Sequence, residues 1–320
     1  MADIDVFNGD ADGICALVQL RNADSRQSRL ITGVKRDIAL VDRADAGSGD
    51  RLTVLDVSFD KNREGVRKAL EAGAEIFYVD HHFAGEIPRS DMLTTIIDTD
   101  PDVCTSLLVN GYLRGRYAQW AVTGAFGDNL KTSAHAIARP LALSEPQLAL
   151  LENLGTYMNY NGYGASVEDL HFDPAVLFEL ARPYATALAF VEGAPDVFAK
   201  LEAGYREDMA AAAATKPERE TATTAAFILP DEAWARRVSG VYGNDLANSF
   251  PRRAHAVLTE RTDGTYLVSV RAPLVDKRGA DELCRRFPTG GGRGAAAGIN
   301  ALPGDQLEAF MNAFAASYDS

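Results

Sequence analysis

Between residues 3 and 130 the chain alternates short apolar runs with longer helix-like stretches, and this restricts the available folds more than any other feature. Strand-like runs rich in Val, Ile, Phe and Tyr fall at 3–7, 29–34, 52–57, 75–79 and 93–98. Helix-like stretches fall at 13–23, 62–72, 103–113 and around 117–127. A succession of this kind builds a parallel sheet covered by helices. The expected fold class is therefore α/β, with a parallel-sheet N-terminal domain over 1–190. A helical linker is expected over 191–221 and a smaller α/β domain over 222–320. In that second domain, strand patterns return at 222–228, 254–259 and 265–271. The last two are joined by an Asp263-Gly264 hairpin turn.

The acidic residues stand in a telling place within this pattern. Asp10-Ala11-Asp12-Gly13 follows the first strand, Asp56 the third, and Asp80-His81-His82 the fourth. Asp128 closes the small-residue run Gly124-Ala125-Phe126-Gly127. Ligands of open parallel sheets bind just past the carboxyl ends of the strands. Carboxylates gathered there repel one another and stay ionised together only with cations between them. Several Asp with one or two His and no Cys suit a magnesium- or manganese-class ion. Each motif alone has a plainer explanation. The Asp10/Asp12 pair could be a helix cap, the adjacent histidines a solvated turn, and Asp56 or Asp128 a turn residue. Their combination favours a metal centre.

Composition narrows the function. Lys and Arg number 32 against 45 Asp and Glu, a net charge of −13. That field repels a long polyanion, so tracking along nucleic acid is not expected. Small phosphorylated substrates are still captured at short range by Arg. Cys15, Cys104 and Cys284 are scattered and odd in number, which suits reduced thiols in the cytoplasm. No apolar run reaches the ~18–20 residues that span a bilayer, and the acidic start Met1-Ala2-Asp3-Ile4-Asp5 is unlike a signal peptide.

A second segment, Gly290-Gly291-Gly292-Arg293-Gly294-Ala295-Ala296-Ala297-Gly298, has the composition of an anion-binding nest leading into a helix at Ala295–Ala297. Arg293 would supply a phosphate fork, and Arg271 on the preceding strand a second. Arg252 and Arg253 are further candidates. The plainer reading of the glycines is a flexible loop.

In order along the chain, these motifs resemble those of the DHH phosphoesterases with a DHH-associated C-terminal domain, of the nanoRNase and pAp-phosphatase type and more distantly RecJ. The resemblance spans nearly the whole length. It implies two manganese ions, with magnesium or cobalt as substitutes, bridged by Asp56 and an activated water. It implies one ion on Asp12, Asp56, His81 and Asp128, and the other on Asp10 and Asp56. His82 would lie by the leaving group or scissile phosphate, with Asp80 orienting the histidines. Asn161-Gly162-Tyr163-Gly164 resembles a segment that RecJ-type enzymes place near the active site, which makes Asn161 a substrate-binding candidate.

Three positions depart from the family pattern. Val6 stands where many members carry His, Asn8 where RecJ-type members carry Asp, and Arg293 where the glycine motif carries His. The second ion then has fewer protein ligands, with Asn8 offering a carbonyl oxygen or a water contact. The expected function is metal-dependent hydrolysis of phosphoesters in short oligonucleotides or small nucleotides. The alternatives are a polyphosphate or pyrophosphate hydrolase, a RecJ-like single-strand exonuclease and, last, a non-catalytic nucleotide sensor. The expected partner is the small substrate itself, with a homodimer allowed and no membrane.

Overall fold

A computed structural model describes residues 1–318. Its contacts divide the chain into two compact units, residues 1–202 and those from 203 onward. The division falls inside a helix that lies within the 191–221 stretch expected to link the domains.

The first unit opens with β1 (Asp3–Phe7), α1 (Ala11–Ala23), β2 (Arg29–Ile31), β3 (Arg51–Leu55), α2 (Phe59–Glu71), β4 (Glu75–Asp80) and β5 (Leu93–Ile97). All five strands pair in parallel, in the order β2-β1-β3-β4-β5. Side chains alternate between the two faces, as a period of two requires. Ile4, Val6, Leu52, Val54, Ile76 and Tyr78 share one core with Phe59, Val66 and Ala69 of α2. The intervening positions meet the opposite layer, where Phe7 packs on Phe178 with ring centroids 5.8 Å apart. Asp5 also lies between the core-facing positions and is fully buried. It is held by the Arg21 guanidinium, whose Nε donates at 2.8 Å.

Helices α3 (Thr105–Tyr112), α4 (Ala118–Gly127), α5 (Lys131–Ala138), α6 (Glu145–Asn161), α7 (Pro174–Ala181), α8 (Ala187–Gly193) and α9 (Pro195–Ala214) complete this part of the chain. A capping box of Ser144 with Gln147 and a proline at the first turn start α6. Helix α4 approaches α1 and α6 too closely for side chains at the crossings. A Cβ on Gly127 would lie 2.3 Å from the Ala11 Cβ, and one on Gly155 would lie 2.2 Å from the Thr123 carbonyl oxygen. The small-residue run before Asp128 is thus a packing surface as well as a lead-in to the site.

The second unit contains β6 (Arg219–Glu220), β7 (Thr224–Leu229), α10 (Ala233–Val238), α11 (Val241–Ser249), β8 (Ala254–Glu260), β9 (Thr265–Arg271), α12 (Ala280–Cys284), β10 (Gly290–Gly292), β11 (Ala296–Pro303) and α13 (Leu307–Tyr318). Its sheet runs β10-β11-β9-β8-β7-β6, antiparallel except for the β7–β8 pair. Ala254, Ala256 and Leu258 face a core built with Phe310, Met311 and Phe314 of α13. Phe227 points the other way and meets Tyr242 of α11 at 5.5 Å.

The glycine segment folds differently from the expected nest and helix. Gly290–Gly292 and Ala296–Pro303 form an antiparallel hairpin, and β11 pairs again with β9. Two of the three glycines answer to packing. A Cβ on Gly290 would sit 1.8 Å from the Cys284 carbonyl oxygen, and Gly292 has φ 138° with the Ala297 backbone against it. Strand pairing with residues some twenty-five positions earlier overrides the local helix-like composition of Ala295–Ala297. Arg293 and Ala296 close the hairpin through reciprocal backbone bonds, with the Arg293 side chain exposed at the turn.

Candidate metal centre

The strand order reverses between β1 and β3, so their carboxyl ends flank the switch point where open α/β sheets bind ligands. Asp10 follows β1 and Asp56 follows β3. Asp10 is the N-cap of α1, and its Oδ1 accepts from the amides of Asp12 (3.0 Å) and Gly13 (3.1 Å). Gly162 lies against it, where a Cβ would come within 3.0 Å of the Asp10 Cα. Asp12, in the first turn of the helix, reaches the start of α3. Each of its oxygens accepts a backbone N–H at 2.7 Å, from Thr105 and from Ser106.

Asp56 is 2% exposed and adopts φ 58°, a left-handed backbone that Asp tolerates better than most residues. Its amide donates to the Val79 carbonyl, and its Oδ1 accepts from the Thr105 hydroxyl at 3.1 Å. Burial pushes this carboxyl well above its ordinary range. The neighbouring charges of Asp12, Asp10 and Asp128 push the same way, against His82.

His81 is 4% exposed, and its Nδ1 lies 2.9 Å from the Val103 carbonyl oxygen. A carbonyl only accepts, so Nδ1 carries a proton, and in the neutral ring Nε2 is the nitrogen that offers a lone pair. That Nε2 lies 3.4 Å from Asp56 Oδ1 and 3.8 Å from Asp128 Oδ2. His82 Nδ1 lies 2.7 Å from Asp80 Oδ1, and Asp80 Oδ2 accepts the Phe59 amide at 3.3 Å. Burial lowers the His82 pKa, but the hydrogen bond and charge of Asp80 outweigh it, and the net shift is upward. Among the described residues, Asp56, His81 and His82 bring ligand atoms within 4.8 Å of one another.

Lys35 was not anticipated. Its ammonium donates to Asp10 Oδ2 and, at 2.9 Å, to the Asn159 side-chain oxygen. It also lies 3.6 Å from Asp128 Oδ1. Burial lowers its pKa, yet Asp10, Tyr163 and Asp128 raise it well above the ordinary value. The Asp10 and Asp128 carboxylates thus meet this ammonium, and those of Asp56 and Asp128 face the His81 ring, with Asp12 bonded to the start of α3. Their residual negative charge, with the lone pair left on His81 Nε2, fits a hard divalent cation held by Asp56, His81 and Asp128. Asp12 fits less directly, because both its oxygens already anchor α3.

Not every expected residue joins this cluster. Asn8, at the end of β1, donates to the Lys35 carbonyl at 3.1 Å, while its own Oδ1 is buried without a hydrogen-bond partner. Asn161 is fully buried, and its amide exchanges two hydrogen bonds with the Phe172 backbone, at 2.8 and 3.0 Å. It fastens the 172 loop and is committed to structure, contrary to the expected substrate contact. Arg271, Gly290, Gly291, Gly292 and Arg293 belong to the second unit. The Arg271 guanidinium is engaged by Asn244 at 2.6 Å, Ser269 at 3.0 Å and the carbonyls of Val270 and Gly240. Thr105, Ser106, Lys35 and Asn159 enter the site unforeseen. Lys35 follows the β2 region, so the rule that flagged the acidic residues past the strand ends, extended to basic ones, would have found it.

No family model and no curated protein matches the chain by sequence. Solved structures do. The DHH domain of a member of a ribosomal-protein family aligns with a TM-score of 0.69 at 13% identity, covering 98% of this chain and 86% of that one. The fold is the DHH fold. An exonuclease RecJ bound to manganese aligns at 0.61 with 18% identity, over 98% of this chain and 90% of RecJ. A pGpG-specific phosphodiesterase from Vibrio cholerae aligns at 0.52 with 13% identity, over 98% and 97%. These likenesses carry the DHH fold across the full length.

Proposed function

We propose that the chain is a divalent-metal-dependent phosphoesterase acting on short oligonucleotides or small nucleotide phosphates. The observation that carries this reading is the convergence of Asp56, His81 and His82 at the switch point, with His81 Nε2 left as the ligand atom by the Val103 carbonyl. Asp56, His81 and Asp128 would hold the cation. The chemistry it supplies is a water of lowered pKa and neutralisation of phosphoryl charge. The chain's own residues prepare that chemistry. Thr105 fixes the Asp56 carboxylate, and Asp12 fixes Thr105 through its amide. Asp80 holds His82 by Nδ1 and favours its imidazolium form, whose Nε2–H could give its proton to the departing oxygen and leave the ring neutral. Two likenesses support the class: one DHH-fold structure is an exonuclease with manganese and another a pGpG-specific phosphodiesterase.

The net charge of −13 favours small substrates over long strands. The test is turnover with manganese on pAp, di- to pentanucleotides, cyclic dinucleotides, polyphosphate and a strand of roughly twenty nucleotides. We expect the rate to fall steeply from the short oligomers to the long strand, with long-strand cleavage weakening sharply as salt rises. Equal rates on long and short strands would favour the exonuclease reading, and turnover of polyphosphate alone the inorganic-chain hydrolase.

A further inference from the structure

We propose that Lys35 is a built-in cation standing in for one of the two expected metal ions, so that the centre takes a single divalent ion on the Asp56–His81 side. The inference rests on the metal-dependent reading above. Both oxygens of the Asp10 carboxylate accept hydrogen bonds. One oxygen takes the amides of Asp12 and Gly13, and the other takes the Lys35 ammonium. The same ammonium donates to the Asn159 side-chain oxygen at 2.9 Å and stands 3.6 Å from Asp128 Oδ1. These oxygens are the hard donors a second ion on Asp10 would need. An ammonium and a divalent ion on one carboxylate repel each other, and the lysine carries its charge without drawing on free metal.

Lys35 is held in place along its backbone. Its amide donates to the Gly162 carbonyl at 2.7 Å, and its carbonyl accepts from Asn8 Nδ2 at 3.1 Å. The second contact needs an amide. A carboxylate at position 8 has no proton to offer the Lys35 carbonyl, and the two oxygens would repel. Asn8 and Lys35 therefore work as a pair: the side chain that could have been an anionic ligand instead secures the residue that supplies the positive charge. His81 Nε2 faces Asp56 and the other oxygen of Asp128, so the ion on that side keeps its donors.

The experiment is manganese stoichiometry by equilibrium dialysis of the full chain, with electron paramagnetic resonance of the bound ion. The wild type should bind one manganese per chain at saturation, with an uncoupled hyperfine spectrum. Lys35→Ala and Lys35→Met should admit a second ion with exchange coupling between the two, and Lys35→Arg should stay at one. Two coupled ions in the wild type would overturn the proposal while leaving the phosphoesterase reading standing. One ion in both wild type and Lys35→Ala would overturn it too, because the lysine would not be what excludes the second. No bound manganese in the wild type would overturn the proposal and the metal-dependent reading together. Two coupled ions in the wild type would overturn the proposal whatever the variants do, and Lys35→Met, close in length and without the charge, is the variant to read should Lys35→Ala fold poorly.

Discussion

At the residue scale, Asp56 and His81 are oriented by the backbone around them. Asp56 sits in a left-handed turn whose amide is tied to β4 through Val79, and the Val103 carbonyl orients His81 through Nδ1, turning Nε2 towards Asp56. The acidic motifs are legible in the sequence because each is local: a buried strand ends and a carboxylate follows. Asn159 and Thr105 are not, because only the tertiary fold brings them to that site, whereas Lys35 follows β2 and is legible once basic residues past strand ends are counted. Asn161 shows the converse, since a motif-like asparagine is committed to the Phe172 backbone. Asn161→Ala would leave a buried N–H and C=O unpaired and should cost about 1–3 kcal/mol in denaturant unfolding. Turnover per folded molecule should change far less. A large rise in KM at unchanged stability would make Asn161 a substrate contact after all.

At the scale of elements, the strands and first helices follow from hydrophobic periodicity, and their bounds agree to within a few residues. The glycine hairpin does not follow, because its strand state depends on pairing with β9, which local composition cannot register. The crossings of α4 leave no room for an added Cβ. Gly→Ala inside a helix usually stabilises by about 0.5–1 kcal/mol. At Gly155 the sign should reverse, since the new Cβ would meet the Thr123 carbonyl oxygen at 2.2 Å and the Gly127 amide at 2.9 Å. Gly155→Ala should therefore lower stability by about 1–3 kcal/mol in thermal or urea unfolding. A stabilised variant would show that α4 and α6 are free to separate at this crossing.

At the scale of the whole molecule, the two units carry separate cores, which suggests separate responses to acid. His255 in the second unit is 1% exposed, with both ring nitrogens shut away from solvent. Burial, with the charge of Arg253, lowers its pKa from 6.5 to about 4, with Glu220 opposing. The unfolded chain therefore takes up this proton first. The contribution to stability is whole above pH 6.5 and is lost as the pH falls towards 4. The loss should be on the order of 2–3 kcal/mol across that window. His255→Leu should remove this part of the slope, read as the difference between the two proteins' urea midpoints at each pH; parallel pH profiles would contradict it. The described residues contain no helix long and apolar enough to cross a membrane. The return of strand patterns after residue 221 marks the second sheet in the sequence, whereas the division inside α9 has no local sign, because the helix is continuous.

The central claim is that Asp56 and His81 hold a divalent ion on which phosphoester hydrolysis depends. Its most direct measurement is turnover of a short oligonucleotide by exhaustively chelated protein, before and after manganese is returned, for the wild type and for Asp56→Asn. We expect no turnover in the chelated wild type, recovery with manganese, and almost none in Asp56→Asn at any manganese level despite a native circular dichroism spectrum. Full turnover by the chelated wild type, or by Asp56→Asn, would contradict it.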